Sequence, residues 1–182
     1  GIRVSHQDFG GRAAYGFDFI DSDTIADDCN GHGTHVAGTV GGSTYGVAKA
    51  VRLVAVRVLG CDGQGTVSGV VAGVDWVVAN HAGPSVMNMS LGGAVSASME
   101  AAVDAAVTSG VTVVVAGGNA NADACTHSPA DVAAAMSVEG MLGNDRVFAA
   151  DLQALRPHRG QGDSAANIAR MLKDSGLIEA GR

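Results

Sequence analysis

The residue best placed to do chemistry is a histidine set between two glycines. In Asn30-Gly31-His32-Gly33-Thr34-His35-Val36-Ala37-Gly38-Thr39, His32 can take a proton from a hydroxyl nucleophile, and its glycine neighbours let backbone and substrate approach the imidazole closely. Acyl transfer by that route also needs the hydroxyl itself, a carboxylate to orient the imidazole, and donors for the developing oxyanion. A lone histidine is ordinarily a core or surface residue, so the string around His32 carries the weight of the assignment. Two other chemistries could draw on the same segment. Cys29, His32 and His35 stand at Cys-x-x-His-x-x-His spacing, but structural zinc wants four ligands and no fourth lies nearby in sequence. A dinucleotide loop fails on spacing, since Val36 and Ser68 occupy the third-glycine positions after Gly31-x-Gly33 and Gly63-x-Gly65.

The elements that must position such residues follow from periodicity. The segment opened by His32 is expected to be a buried helix of small residues, which can pass close to its neighbours. Residues 51–59 are rich in β-formers and end in the turn Gly60-Cys61-Asp62-Gly63-Gln64-Gly65. From Thr66 to about Asn80 the apolar Val67, Val70, Val71, Val74, Val77 and Val78 fall at helical spacing. A strand is expected over 86–91. Ser96 or Ser98 can cap a further helix, whose Met99, Ala102, Val103, Ala106 and Val107 form one stripe until Ser109-Gly110 ends it. The run Val111-Thr112-Val113-Val114-Val115-Ala116 is almost wholly apolar, as in a strand covered on both faces. Strand, helix, strand, helix, strand with centres this apolar predicts an α/β protein, its parallel sheet carrying helices on both faces. Active groups in such sheets lie at the carboxyl ends of the strands.

The 182 residues, 47% hydrophobic with 27 glycines, could form one ordinary domain, and the 4% of aromatics leaves small branched side chains to build its core. A net charge of -7 argues against nucleic acid, whose affinity rests on Lys and Arg. No apolar run approaches the roughly 20 residues that span a bilayer, and no basic start followed by an apolar stretch opens the chain, so no membrane partner is expected. Cys29, Cys61 and Cys125 are an odd number, which leaves at least one outside any intramolecular disulfide; three reduced thiols are equally compatible with the count. The character changes near Asp145, after which come Arg146, Arg156, Arg159, Arg170, Lys173 and Arg182. Residues 164–180 have the pattern of an amphipathic helix broken at Gly176.

Five separated motifs then occur in one order: Asp28-Cys29-Asn30-Gly31-His32-Gly33-Thr34-His35-Val36-Ala37-Gly38-Thr39; Tyr45-Gly46-Val47-Ala48-Lys49-Ala50; Gly73-Val74-Asp75-Trp76-Val77; Asn88-Met89-Ser90-Leu91-Gly92-Gly93; and Ala116-Gly117-Gly118-Asn119 with Ser128-Pro129-Ala130. In order and spacing, from about Gly1 to Gly143, the chain resembles the subtilisin-like serine proteases of the proteinase K branch, and most of all the aqualysin type. The resemblance implies a three-layer subtilisin-like fold, truncated, over residues 1–145, with 146–182 an unrecognised and unassigned tail. It makes His32 the general base, His35 the family's non-catalytic histidine, and Asn119 an oxyanion-hole donor. It assigns Gly65 and Ser90, Leu91 and Gly92 to the two segments between which an extended peptide or protein substrate is bound as an added strand, where glycines leave backbone groups open to pairing. It pairs Cys29 with Cys61, a linkage that points to a secreted protein, and gives Cys125 a partner beyond the matching region. The chemistry needs no cofactor, and structural calcium is implied only through a loop expected between 140 and 150.

The chain also departs from that pattern. Gly1-Ile2 resembles the residues that follow the family's catalytic aspartate, so the orienting carboxylate is expected just before Gly1, while Asp8, Asp18, Asp21 and Asp23 are expected to be solvated surface groups. No Gly-Thr-Ser-Met-Ala-x-Pro string supplies the nucleophile, and Ser164 lacks the flanking glycines of a different protease clan. One triad member of three is therefore expected in these residues. Two functions follow: a subtilisin-type serine endopeptidase represented by an incomplete and inactive catalytic domain, or a catalytically inactive remnant that binds peptides.

Overall fold

A computed structural model of the chain describes residues 1–120 and 122–138. In chain order its regular elements are β1 (Ala13–Asp18), α1 (His32–Gly41), β2 (Leu53–Arg57), α2 (Val67–Asn80), β3 (Ser85–Met89), β4 (Gly93–Ala94), α3 (Ala97–Thr108), β5 (Val111–Ala116), β6 (His127–Ser128) and β7 (Met136–Val138). Short 3-10 turns at Gln7–Phe9 and Ala124–Thr126 precede β1 and β6. The residues fall into two compact units that meet within α2, between Trp76 and Val77.

In the first unit β1 and β2 pair in parallel, with Ala13 opposite Leu53 and Asp18 opposite Arg57. Alternation along β2 sends Leu53 and Ala55 into a core with Ile2, Phe9, Ala26 and Ala37 of α1. Its other face meets α2, where a β-carbon at Gly73 would stand 2.6 Å from Val58 Cγ1 and 3.4 Å from Val56 Cγ1. Helices thus lie on both faces of β2. The register shifts between Tyr15 and Phe17. Glycine is needed at the intervening position, since a β-carbon on Gly16 would come within 2.7 Å of the Trp76 ring and 2.9 Å of the Ala55 carbonyl.

In the second unit β5 lies between β3 and β7, parallel to both. The apolar stripe read on α3 is the buried one: Met99, Ala102, Val103 and Ala106 pack with Val111, Val113 and Val115 of β5. Ser96 supplies the cap, its hydroxyl accepting from Met99 N at 3.4 Å, while Ser98 stands beside it. The antiparallel pair β4–β6 sets Gly93 opposite Ser128 and Ala94 opposite His127.

The parallel α/β architecture read from the pattern is present, as two- and three-stranded parallel pairings. The strand β1 has no clear signal in the sequence, because Ala13-Ala14-Tyr15-Gly16-Phe17-Asp18 holds two alanines and a glycine, all poor β-formers. One expectation is corrected. Asp18 is fully buried rather than solvated, because its carboxylate closes an ion pair with Arg57 at 2.7 Å. The strand and calcium loop expected at 140–150, Ser164 and the helical pattern at 164–180 lie outside the described residues.

Candidate active site

His32 is the first residue of α1, and its neighbours explain how a helix begins there. Gly31 occupies the cap position with φ 102°, a left-handed conformation that suits glycine and leaves no side chain to cap the helix. The carboxylate of Asp28 takes over that task. One oxygen accepts from Asn30 N at 3.0 Å and Gly31 N at 2.8 Å; the other accepts from Thr34 N at 2.8 Å and the Thr34 hydroxyl at 2.6 Å. Burial by itself would raise the pKa of Asp28, but these bonds from Thr34, Gly31 and Asn30 outweigh it and hold the carboxyl at about 2. The negative charge also meets the positive end of the helix dipole. His32 N donates to Asn30 Oδ1 at 3.3 Å, and both His32 and His35 are exposed.

The first residues of the chain run against this helix start. Arg3 N donates to the Thr34 hydroxyl at 3.0 Å and Ile2 N to the Ala26 carbonyl at 3.1 Å. A β-carbon on Gly33 would overlap the Gly1 carbonyl, which accounts for the glycine that follows His32. The segment before the helix is held by the disulfide Cys29–Cys61 and by Asn30 Nδ2 donating to the Cys61 carbonyl at 2.8 Å. Beneath it Arg57 donates to Asp18 at 2.7 Å and to Asp21 at 2.8 Å, and its other terminal nitrogen lies 3.3 Å from Cys29 Sγ and 3.7 Å from Cys61 Sγ. Burial pushes the Asp18 pKa up, but the amides of Ile20 and Asp21 and the guanidinium together hold it below the usual carboxylate range. Since Cys29 is in a disulfide, it offers no thiolate, and the Cys29-His32-His35 zinc alternative is withdrawn. Cys125 is exposed and takes no part in that linkage.

Gly65 borders an open recess with Phe19, Ile20 and Gln64. Only glycine fits there, since a β-carbon would overlap the Val58 carbonyl and approach Leu59 Cδ2 at 2.8 Å.

In the second unit Asn119 follows the carboxyl end of β5, after Gly118 at φ 94°. It is exposed, and its side-chain amide makes no hydrogen bond among the described residues. Ser90, Leu91 and Gly92 come to the same place from the end of β3, and with Asn119 and His127 they line a cavity of about 210 Å³. Ser128 anchors the opposite wall: its buried hydroxyl accepts from Ser96 N at 2.8 Å and lies 3.0 Å from Asp131 Oδ2 and 3.2 Å from Glu100 Oε1. The sequence brings out His32, Asn119 and the Ser90–Gly92 segment but passes over three supporting residues. Asp28 is legible only as an aspartate three residues before a glycine cap; Arg57 is masked by its place in an otherwise apolar strand; His127, directly before Ser128-Pro129-Ala130, gives no signal of its own.

Parallel strands with helices packed on them define an α/β protein. The sequence pattern of the subtilase family matches residues 1–165, and the chain belongs to that family. Its relatives include the alkaline serine exoprotease A of Vibrio alginolyticus, 59% identical over 145 residues, which are 80% of this chain and 27% of that protein. The extracellular serine proteinase of Thermus sp. (strain Rt41A) is 57% identical over 145 residues, 80% of this chain and 35% of that one. A solved structure of a cold adapted subtilisin-like serine proteinase superposes with a TM-score of 0.75 at 58% identity, over 75% of this chain and 50% of that chain. The chain thus spans about a third of the length of the curated relatives it matches. Subtilases are serine endopeptidases whose chemistry needs no cofactor. Among the described residues no three His, Cys, Asp or Glu side chains converge as a group that could hold a metal ion. No described helix is long and apolar enough to cross a membrane.

Proposed function

We propose that residues 1–145 are part of the catalytic domain of a secreted serine endopeptidase that acts through an acyl-enzyme, with 146–182 a separate tail. The observation that carries the proposal is the single cavity bordered by both Asn119 and Ser90–Gly92. An extended peptide paired along Ser90, Leu91 and Gly92 would bring a carbonyl within reach of the Asn119 amide, which has no other partner among the described residues. In this reading His32 removes the proton of a serine hydroxyl and returns it to the leaving amine, and Asn119 donates to the tetrahedral oxyanion. A donor of that kind contributes roughly 3–4 kcal/mol to the transition state. Gly65 provides the second open backbone against which the peptide lies.

The arrangement at α1 supports the assignment of His32. Asp28 is fully committed to the helix start, so the carboxylate that orients the imidazole must be another, and Gly1 packs against Gly33 beside His32. An aspartate encoded two residues before Gly1, in an Asp-Thr pair, would lie near the base. A gene with no such codon would end the catalytic proposal for the parent protein.

The 182 residues hold no Gly-Thr-Ser motif, and the chain by itself is accordingly proposed to be inactive. A casein-hydrolysis assay with His32→Ala as control tests this, and histidine-dependent turnover would refute it. The alternative, a peptide-binding remnant, rests on the same cavity without chemistry. Peptide binding with no labelling of any serine by a fluorophosphonate probe would favour the remnant.

A further inference from the structure

The segment before His32 contains a peptide bond with chemistry of its own. Asn30-Gly31 is the one place where the chain sets a glycine after an asparagine. There the Gly31 amide nitrogen can attack Asn30 Cγ, because no β-carbon hinders its approach. Attack expels ammonia and leaves a cyclic succinimide; water then opens the ring to aspartate or to isoaspartate. Both residues are exposed, so water reaches them. The fold nevertheless engages each group that must move. Gly31 N donates to Asp28 Oδ1 at 2.8 Å, and its deprotonation would set a second negative charge against that carboxylate. Asn30 Nδ2, the leaving group, donates to the Cys61 carbonyl at 2.8 Å, and Asn30 Oδ1 accepts from His32 N at 3.3 Å. Gly63 stands behind the amide, where an added β-carbon would lie 3.7 Å from Nδ2. Cys61 is in turn tied to Cys29 by the disulfide, and both cysteines are exposed.

We propose that Asn30-Gly31 is a latent deamidation site, held shut by Asp28 and by the Cys29–Cys61 disulfide, whose opening alters the entry to α1. The reaction uses neither the cavity beside Asn119 nor proton transfer by His32, so it stands apart from the peptidase reading. Reduction supplies the opening: an external dithiol gives two electrons and two protons to the Cys29–Cys61 bond and leaves as its own disulfide. The Cys61 carbonyl is then free to part from Asn30 Nδ2, and Cγ can turn toward Gly31 N. Deamidation makes the change permanent. The carboxylate it creates has no proton to offer the Cys61 carbonyl, so the link from the helix start to the turn at Gly60–Gly65 is lost. The same step adds a negative charge next to Asp27 and Asp28. The isoaspartate product also inserts a methylene into the main chain between Asp28 and His32.

The test incubates the full chain at pH 8 and follows Asn30 by peptide mass spectrometry, with enzymatic methylation of isoaspartate separating the products. In the oxidised native chain deamidation is expected to run about tenfold slower than in the same chain unfolded in urea, since each event must first release a hydrogen bond to a carboxylate. Reduction by a dithiol, and Asp28→Asn, which keeps the shape but not the charge, should each speed it several-fold while far-ultraviolet circular dichroism stays native. Equal rates in the native and urea-unfolded chains would overturn the proposal. So would a reduced chain or an Asp28→Asn chain that keeps native dichroism yet deamidates no faster than the parent. A chain that loses native dichroism leaves the decision to the other; if both lose it, protection belongs to the whole fold and the local gate is refuted. Asn30→Asp, which writes one product into the chain, is expected to exchange the Gly60 and Gly63 amides of the turn about fivefold faster. An unchanged rate there would overturn the uncoupling of the turn from the helix start.

Discussion

The two units hold their site residues by opposite means. Around His32 the positioning is polar: a carboxylate that satisfies four donors, a disulfide, and a buried guanidinium with two aspartates and two sulfurs around it. Around Asn119 it is apolar: a strand with Val111, Val113 and Val115 buried against one helix stripe, ending in a glycine and an amide without a hydrogen bond among the described residues. If His32 is the proposed general base, it must keep its place while its charge changes, and a network of directed bonds fixes the backbone that carries it. If Asn119 is the proposed oxyanion donor, its amide must stay open for substrate, so its support comes from packing behind it. The difference teaches where each half is vulnerable. The first unit should respond to redox state, charge and acid, and the second to side-chain volume and helix capping.

Breaking the disulfide is expected to have the largest effect. Cys29–Cys61 closes a separation of 32 residues, for which the chain-entropy model gives about 3–4 kcal/mol. Reduction should lower the urea midpoint of the first unit, read by fluorescence of Trp76, the chain's one tryptophan, which packs on Gly16. Amide hydrogen exchange in β3 and β5 should be unchanged. Arg57→Ala comes next, at about 3 kcal/mol, because it leaves Asp18 buried with only the Ile20 and Asp21 amides as partners. It should act on the same Trp76 signal. If either change exposes β3–β5 amides to the same degree, the two halves are one cooperative unit and the comparison fails.

Acid gives a sharper test of the polar half. The Asp28 carboxyl titrates at about 2 in the folded chain against an ordinary 3.8, so the unfolded state takes up the proton first. Its stabilisation, about 2 kcal/mol, is complete above about pH 5 and is lost as pH falls through 3.8 toward 2. Asp28→Asn should remove that stretch of the stability–pH curve while leaving the curve above pH 5 parallel to that of the parent. A variant that keeps the full slope between pH 5 and 2 would show that other carboxylates carry it.

The same division explains how much of the molecule is legible in its amino-acid sequence. Apolar support is periodic, so α2, α3, β5 and the stripe Met99, Ala102, Val103 and Ala106 can be read to within a residue or two. Polar support is not periodic. Asp18 looks like any surface aspartate because nothing in Phe17-Asp18-Phe19 says that Arg57, 39 residues on, will reach it. His127 is equally silent, since its place in a cavity wall depends on β4 pairing with β6 across a separation that no local pattern encodes. His32 and Asn119 stand out through their motifs, and the geometry adds what holds them.

The smallest expected effect tests the apolar half. Ser96 caps α3 through Met99 N, and Ser96→Ala removes that acceptor while keeping the Ser96 N–H bond to Ser128. Loss of a serine cap costs about 1 kcal/mol. Because the buried stripe of α3 lies against β5, the loss should appear as roughly fivefold faster amide exchange in α3 and β5. The Trp76 midpoint should not move. Ser98→Ala, two residues on and without the Met99 contact, is the control and should alter neither signal. Equal losses in the two variants would mean that helix propensity rather than the cap fixes α3. A shift of the Trp76 midpoint in Ser96→Ala would instead mean that the packing behind Asn119 and the network around His32 share one folding transition.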